Sequence, residues 1–203
     1  MAEYIMQKPA PTKLSIDENI KNRWSPRAFV DKPVEKEKLQ LLFEAARWSA
    51  SCYNEQPWRF IVGIKGQDAA YEKIFDTLAS GNQEWCRPVP VLVAVYGKSL
   101  FSHNNKPNDW YQYDVGQAAA TLAIQATALG IFVHPMAGFE PQRLTQLFSV
   151  PKEYKAQAII AVGYPGDVQH LPEKLREMEL AERKRKELKE IVFSGQWEKP
   201  FSF

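Results

Sequence analysis

Apolar residues recur at two different periods along the chain, and the switches between those periods predict its elements. After Pro33, Leu39, Leu42, Phe43 and Ala46, with Leu41 and Ala45 beside them, repeat at helical spacing as far as Trp48. Residues 60–64 and 89–96 are short, rich in β-branched side chains and bounded by Pro or Gly, the pattern of buried strands. Between them, 69–79 has a helical pattern. The longest regular stretch is 110–129, where Val115, Ala118, Ala119, Leu122, Ala123, Ala126 and Leu129 make a wide stripe of mostly small side chains. Small residues permit close helix approach, which predicts a central helix closed by Gly130. Ile131-Phe132-Val133 predicts a short extended piece, 141–148 a helix and 157–164 a further buried strand. Near the start, Ser15-Ile16-Asp17-Glu18 has capping-box spacing with Ser15 as the cap, and the helix it opens must end before Pro26. Residues 1–13 carry two prolines and no periodicity, which predicts a loose arm. The charged tail from 177 to 193 has Leu180, Leu188, Ile191 and Val192 interspersed, as expected of a helix or arm lying on an apolar surface.

Helices and strands interleave throughout, which predicts an α+β or α/β domain with one sheet covered by helices. The 203 residues, 45% of them hydrophobic, can bury one substantial core, so a single domain over 1–203 is expected. The 26 basic and 24 acidic residues nearly balance, which argues against a nucleic-acid partner. The first residues lack the order of a secretory signal, and no apolar run approaches the roughly 20 residues that span a bilayer. Two cysteines, Cys52 and Cys86, are too few for a disulfide framework or a four-thiolate metal site. A soluble cytoplasmic protein without a membrane partner is expected. His103, His134 and His170 lie in contexts too dissimilar to suggest zinc, so no metal is expected.

Two connections carry candidate chemistry. In Arg23-Trp24-Ser25-Pro26-Arg27, the proline pushes Ser25 towards extended geometry. In an extended chain residues i, i+2 and i+4 point to one side, so two guanidinium groups and a hydroxyl converge. Guanidinium forks match phosphate oxygens bidentately. Taken alone, the same residues read more readily as two solvated arginines beside a helix end. The second connection, Ser49-Ala50-Ser51-Cys52-Tyr53-Asn54-Glu55-Gln56-Pro57-Trp58, packs hydroxyl, thiol and amide side chains between a helix and a strand. Pro57 keeps the chain from returning to helix. Such a polar connection on a rigid seat suits a flat polar ligand. No His or Asp stands at a telling offset from Cys52 to support thiol catalysis.

Read together, these motifs resemble those of the FMN-dependent nitroreductase family, in which an Arg-x-Ser-x-Arg/Lys motif and a Ser-Ser-x-Asn-x-Gln-Pro-Trp motif flank the first core helix. Two later segments extend the resemblance from about residue 19 to 197: Pro135-Met136-Ala137-Gly138 after the central helix, and Gly163-Tyr164-Pro165-Gly166 followed by Lys174 and Arg176. The resemblance implies a three-layer α/β/α sandwich with a mostly antiparallel sheet, a homodimer, and bound FMN with NAD(P)H as electron donor. It implies FMN contacts from Arg23, Trp24, Ser25 and Arg27, with Arg23 and Ser25 at the phosphate and ribityl chain and Arg27 near the N1/C2 carbonyl edge. It further implies contacts from Ala50, Ser51, Cys52, Asn54 and Gln56 of the neighbouring subunit, and from Asn82 on the pyrimidine side. The backbone of Pro135, Met136, Ala137 and Gly138 would cross the ring, with Ala137 and Gly138 near N5. Lys174 and Arg176 match a phosphate-binding pair, although Glu173, Glu177 and Glu179 nearby also fit ordinary helical charge patterning. Phe101, Trp110 and Tyr111 would form a pocket wall for a planar acceptor, or simply pack. Cys52 stands where the family often has serine, and Trp85 where it often has lysine. No catalytic side chain is implied, and the tail from 177 to 203 would pack on the partner. The expected reaction is two-step: NAD(P)H reduces the flavin, and a nitroaromatic or quinone reoxidises it. A flavin-binding carrier or sensor without turnover is the alternative.

Overall fold

Two runs almost without polar side chains, 91–97 and 158–163, have nowhere to go but the interior, and they become the centre of the sheet. The computed structural model describes residues 7–203. Its helices are α1 (Glu18–Asn22), α2 (Lys36–Arg47), α3 (Ala69–Phe75), α4 (Ser80–Cys86), α5 (Tyr111–Ala128), α6 (Pro141–Leu147) and α7 (Glu173–Leu180). Its strands are β1 (Trp58–Ile64), β2 (Val91–Lys98), β3 (Phe132–Met136) and β4 (Tyr154–Gly163). They form one sheet in the order β1-β2-β4-β3, with every neighbouring pair antiparallel.

Strand side chains alternate between faces, and β2 uses both. Leu92, Ala94 and Tyr96 pack into a layer with Tyr71, Ile74 and Phe75 of α3, Trp85 and Cys86 of α4 and Leu144 of α6. Val91, Val93 and Val95 meet Leu39, Leu42 and Ala46 of α2 and Val115, Ala118, Leu122 and Ala126 of α5. The result is the expected three-layer α/β/α arrangement of α+β class. Burying one such aliphatic side chain contributes roughly 1.5–3 kcal/mol before chain entropy is subtracted. The small stripe on α5 lets it lie close to the sheet, and Gly130 follows it with φ of 68°, the left-handed geometry that closes a helix.

Several local expectations shift. The cap of α1 is Asp17, not Ser15; its carboxylate accepts the Asn19 amide at 2.8 Å. The helix expected over 69–79 ends at Phe75, because 77–79 bond across to the chain after β3. The Ala79 amide donates to the Gly138 carbonyl and the Glu140 amide to the Thr77 carbonyl. Helix α4, with Ser, Gly and Asn in its first turn, had no legible helical pattern. Strand β2 starts at Val91 rather than 89, since the Val89 amide closes α4 on the Cys86 carbonyl. In the tail, helix stops at Leu180, leaving one short turn at Leu188–Glu190 and a Phe193–Pro200 bridge. Residues 1–6 of the expected arm lie outside the described residues. Residues 7–13 form neither helix nor strand, but the Ala10 amide donates to the Lys21 carbonyl. Among the described residues no helix is long and apolar enough to cross a membrane.

Candidate active site

The segment after α1 is extended, and its burial alternates: Trp24, Pro26 and Ala28 are inside, while Arg23, Ser25 and Arg27 are only partly covered. The period of two brings Arg23 and Ser25 to one side, Arg23 Nη1 lying 3.5 Å from Ser25 Oγ, and Arg27 follows them at a bend. The strand end Gly163-Tyr164-Pro165-Gly166 holds this segment from below. The Val30 amide donates to the Tyr164 carbonyl, and the Gly166 amide to the Ala28 carbonyl. His134 of β3 adds a bond at 2.8 Å from Nδ1 to the Pro26 carbonyl. Burial, and then the Arg27 cation, push the His134 imidazole down to about 4, partly countered by the Pro26 bond. It is neutral at pH 7 and occupied with packing on Trp85, 4.8 Å between ring centres, so it is no general acid.

Two further arginines reach this segment. Arg183 donates to the main-chain carbonyls of Lys8, Lys21 and Arg23, the last at 2.9 Å. Burial, followed by the neighbouring Arg185, holds the Arg23 guanidinium below its ordinary range. Arg183 is lowered by burial and then by Arg23 and Arg185. Among the described residues no carboxylate lies within ion-pair distance of Arg23, Arg183 or Arg185. Crowded cations without counter-ions are the donor set a phosphate would relieve. Lys174 and Arg176 make no bond to this segment. Lys174 is exposed, and Arg176 reaches Gln169 Oε1 at 3.4 Å. Arg183-Lys184-Arg185 repeats the same cation spacing nine residues further on, and only the fold decides between the two pairs.

The carbonyl of Gly138 receives Asn82 Nδ2 at 2.9 Å and the Ala79 amide at 2.9 Å. This fixes the 138–139 peptide, while the 137–138 peptide, which carries the Gly138 N–H, is held by the Phe139 amide donating to the Ala137 carbonyl at 3.2 Å; among the described residues no protein acceptor takes the Gly138 amide. A Cβ at position 138 would lie 2.9 Å from Asn82 Nδ2, so glycine keeps the approach bare. Asn82 is therefore spent on shaping this turn. Pro135 is exposed, whereas Met136 is buried in the core and offers a ligand only its main chain. The same holds for Trp24, whose ring is buried edge-on to Phe132. Trp85 lies in the core, stacked on Phe29, and blocks no open face.

The 51–56 connection is strained: Tyr53, Asn54 and Gln56 have φ of 52°, 55° and 49°. Left-handed backbone costs a non-glycine residue about 1–2 kcal/mol, so something must hold it. Asp114, buried in the first turn of α5, accepts the Cys52 amide at 3.1 Å. Burial raises its carboxyl above the usual range, partly offset by that bond. Ser51 Oγ accepts the Gln56 amide at 3.0 Å, and Gln56 Nε2 returns to the Asn54 carbonyl at 3.2 Å. Ala50 and Asn54 are exposed, and Tyr53 stands 84% exposed, edge-on to Phe101. Of the expected wall, Trp110 is exposed, and Tyr111 lies on the backbone of β2, where a Cβ at Gly97 would fall 2.6 Å from its ring.

The sequence on which this sandwich is built matches a known family. The nitroreductase family model matches residues 20–84 and 65–164. The chain belongs to the nitroreductase family. An uncharacterized 15.4 kDa protein of Mycolicibacterium smegmatis is 33% identical over 150 residues, covering 70% of this chain and 99% of the relative. A Ralstonia nicotianae protein named provisionally as an NADH dehydrogenase/NAD(P)H nitroreductase is 29% identical over 67% of this chain and 78% of its own. A crystal structure described as an oxidoreductase containing FMN superposes with a TM-score of 0.87 at 32% identity, covering 93% of this chain and 96% of that one. Sequence reasoning did not single out Arg183, Arg185, Glu179 or Asp114, which the structure sets against the two candidate segments. Charge density at 183–186 was the available signal for the first two. A lone buried carboxylate leaves none.

Proposed function

We propose that this chain is an NAD(P)H-dependent FMN oxidoreductase that reduces an electron-poor acceptor, such as a nitroaromatic or a quinone, in two alternating steps. FMN, when bound, supplies hydride acceptance from the nicotinamide and return of two electrons to the acceptor. The residues fit that cofactor. Arg23, Ser25, Arg183 and Arg185 would hold its phosphate, in preference to the Lys174 and Arg176 pair that the resemblance implies. Arg27 would sit at the pyrimidine edge, where a cation stabilises the negative charge that reduction brings. Gly138 would offer its amide to N5, its own peptide held by the Phe139 amide on the Ala137 carbonyl and the following one anchored by Asn82. The observation that carries the reading is this pairing of an arginine cluster lacking carboxylate partners with an unused main-chain amide, on a nitroreductase-family sandwich.

Ala50, Ser51, Cys52, Asn54 and Gln56 would complete the site from a second copy, with the Phe101–Trp110 surface facing the acceptor. A homodimer is supported by exposed apolar side chains on three helices: Ile20 of α1, Leu41 of α2 and Tyr113 of α5. The tail from 177 to 203, with Trp197 and Phe203 about four-fifths exposed, would lie on the partner. The names and descriptions of the Ralstonia relative and of the FMN-containing structure support the same reading. The test is flavin absorbance of the purified protein, followed by anaerobic NADH or NADPH. Yellow protein that bleaches and recolours with a quinone or nitroaromatic is expected. Yellow that persists would instead mark a binding module, and colourless protein refusing FMN would sink the reading.

A further inference from the structure

Beneath the arginine segment lies a charge that the functional reading leaves unused. Glu179, near the end of α7, is 1% exposed. Its Oε1 accepts the main-chain amides of Arg27 at 2.7 Å and Ala28 at 3.2 Å. Its Oε2 has no hydrogen-bond partner and lies 3.7 Å from Arg27 Nη1. The main-chain carbonyl of the same residue accepts Lys8 Nζ, which ties the arm to the helix end. The carboxylate thus does two separable things. One oxygen shapes the backbone at Arg27; the other places its negative charge 3.7 Å from the Arg27 guanidinium without a hydrogen bond of its own. In a partly desolvated site such a charge acts over several ångströms with little screening.

We infer that Glu179 is a tuning residue: its carboxylate offsets the Arg27 cation and so sets how readily the flavin of this chain is reduced. The inference rests on the functional reading above, which puts Arg27 at the pyrimidine edge. A cation there favours the reduced cofactor because reduction adds negative charge; an anion directly behind that cation diminishes the effect. Glu179 therefore works against Arg27, holding the potential below what the arginine alone would give. A bare positioning role predicts something else. Glutamine keeps the shape and an acceptor for both amides, whereas aspartate keeps the charge but withdraws it by one methylene. If only shape matters, aspartate is the more disturbing change; if charge matters, glutamine is.

The experiment is a reductive titration of the FMN-loaded wild type, Glu179→Gln and Glu179→Asp against a reference dye, with FMN retention on gel filtration read in parallel. Glu179→Gln is expected to shift the midpoint to more positive potential while retaining FMN, and Glu179→Asp to stay near the wild type. Should Glu179→Gln fail to fold, Arg27→Gln carries the test. Removing that cation leaves the buried carboxylate with Lys8 as a remaining cationic neighbour, and the midpoint is expected to fall below that of free FMN. Equal midpoints in wild type and Glu179→Gln, or Arg27→Gln at or above free FMN, overturn the inference and leave the functional reading standing. Wild-type protein that takes up no FMN overturns both.

Discussion

Two segments of the chain carry candidate site residues, and each is held by one buried carboxylate, yet the two holds differ in kind. Glu179 is surrounded by donors: two main-chain amides, with the Arg27 guanidinium beyond. Asp114 receives one amide, from Cys52, and among the described residues forms no ion pair. The backbone held by Glu179 bends at Arg27 so that two successive amides meet one oxygen, but holds no left-handed residue and is stitched further to the end of β4. The backbone held by Asp114 contains three left-handed non-glycine residues in four positions. The arginine side is therefore built to be rigid in the isolated subunit. The loop side stores strain and exposes Asn54 and Tyr53, the kind of backbone found at functional sites.

The sharpest way to break this comparison is to remove each carboxylate. Glu179→Ala leaves two amides and a guanidinium without their acceptor, and an expected loss is about 3–4 kcal/mol of unfolding free energy. Asp114→Ala strands one amide but also relieves an unpaired buried charge, so its expected loss is only about 1 kcal/mol. Urea unfolding of both variants checks the order. Equal losses would mean that the Arg27 pair adds nothing to the first hold.

Acid separates the two sides by sign. His134 titrates at about 4 in the folded chain, below the ordinary value near 6.5 for an imidazole. The unfolded chain thus takes that proton first, so the stability is complete above about pH 6.5 and is lost as pH falls towards 4. A shift of that size corresponds to at most roughly 3 kcal/mol. Asp114, raised rather than lowered, has the opposite slope: protonation on acidification removes the cost of burying its charge. Hydrogen exchange between pH 7 and 4.5 should show residues 24–28 loosening while 51–56 do not. His134→Gln, which can still donate to the Pro26 carbonyl, should abolish the first change. Parallel loosening of both segments would show that acid acts elsewhere.

What was legible in the sequence follows from how each feature is encoded. The buried strands and α5 were legible because burial needs apolar side chains at a regular period, and the alternation of Arg23, Ser25 and Arg27 because Pro26 restricts the residue before it. Helix α4 was not, since Ser80, Gly81 and Asn82 are weak helix formers and tertiary contacts override them. The choice between Lys174–Arg176 and Arg183–Arg185 was closed to inspection for a different reason. Both pairs share one spacing, and only the path of the chain after α7 turns the second towards Arg23. Glu179 and Asp114 were hidden most deeply, because a surface glutamate and a buried one look alike until the donors around them are known. In the sequence Glu179 reads as ordinary charge patterning, yet it is the carboxylate that the arginine segment rests on.

The smallest expected effect tests whether the loop side truly carries strain. Tyr53 holds φ of 52°, and its ring, 84% exposed, meets Phe101 at 5.9 Å and His103 at 6.0 Å. Glycine at this position removes the left-handed penalty of about 1–2 kcal/mol but gives back about 0.5–1 kcal/mol through the freer unfolded chain. The ring buries little apolar area, and its removal offsets part of what remains, so Tyr53→Gly should stabilise the folded chain by only about 0.5 kcal/mol. Its effect on turnover of a planar acceptor should be larger than that, because the residue stands where the loop meets the Phe101 wall. Unfolding midpoints set beside acceptor kinetics give the answer. A variant less stable than wild type would mean that the aromatic packing, not the backbone, decides the loop's shape, and the contrast with the arginine side would then be one of packing rather than of stored strain.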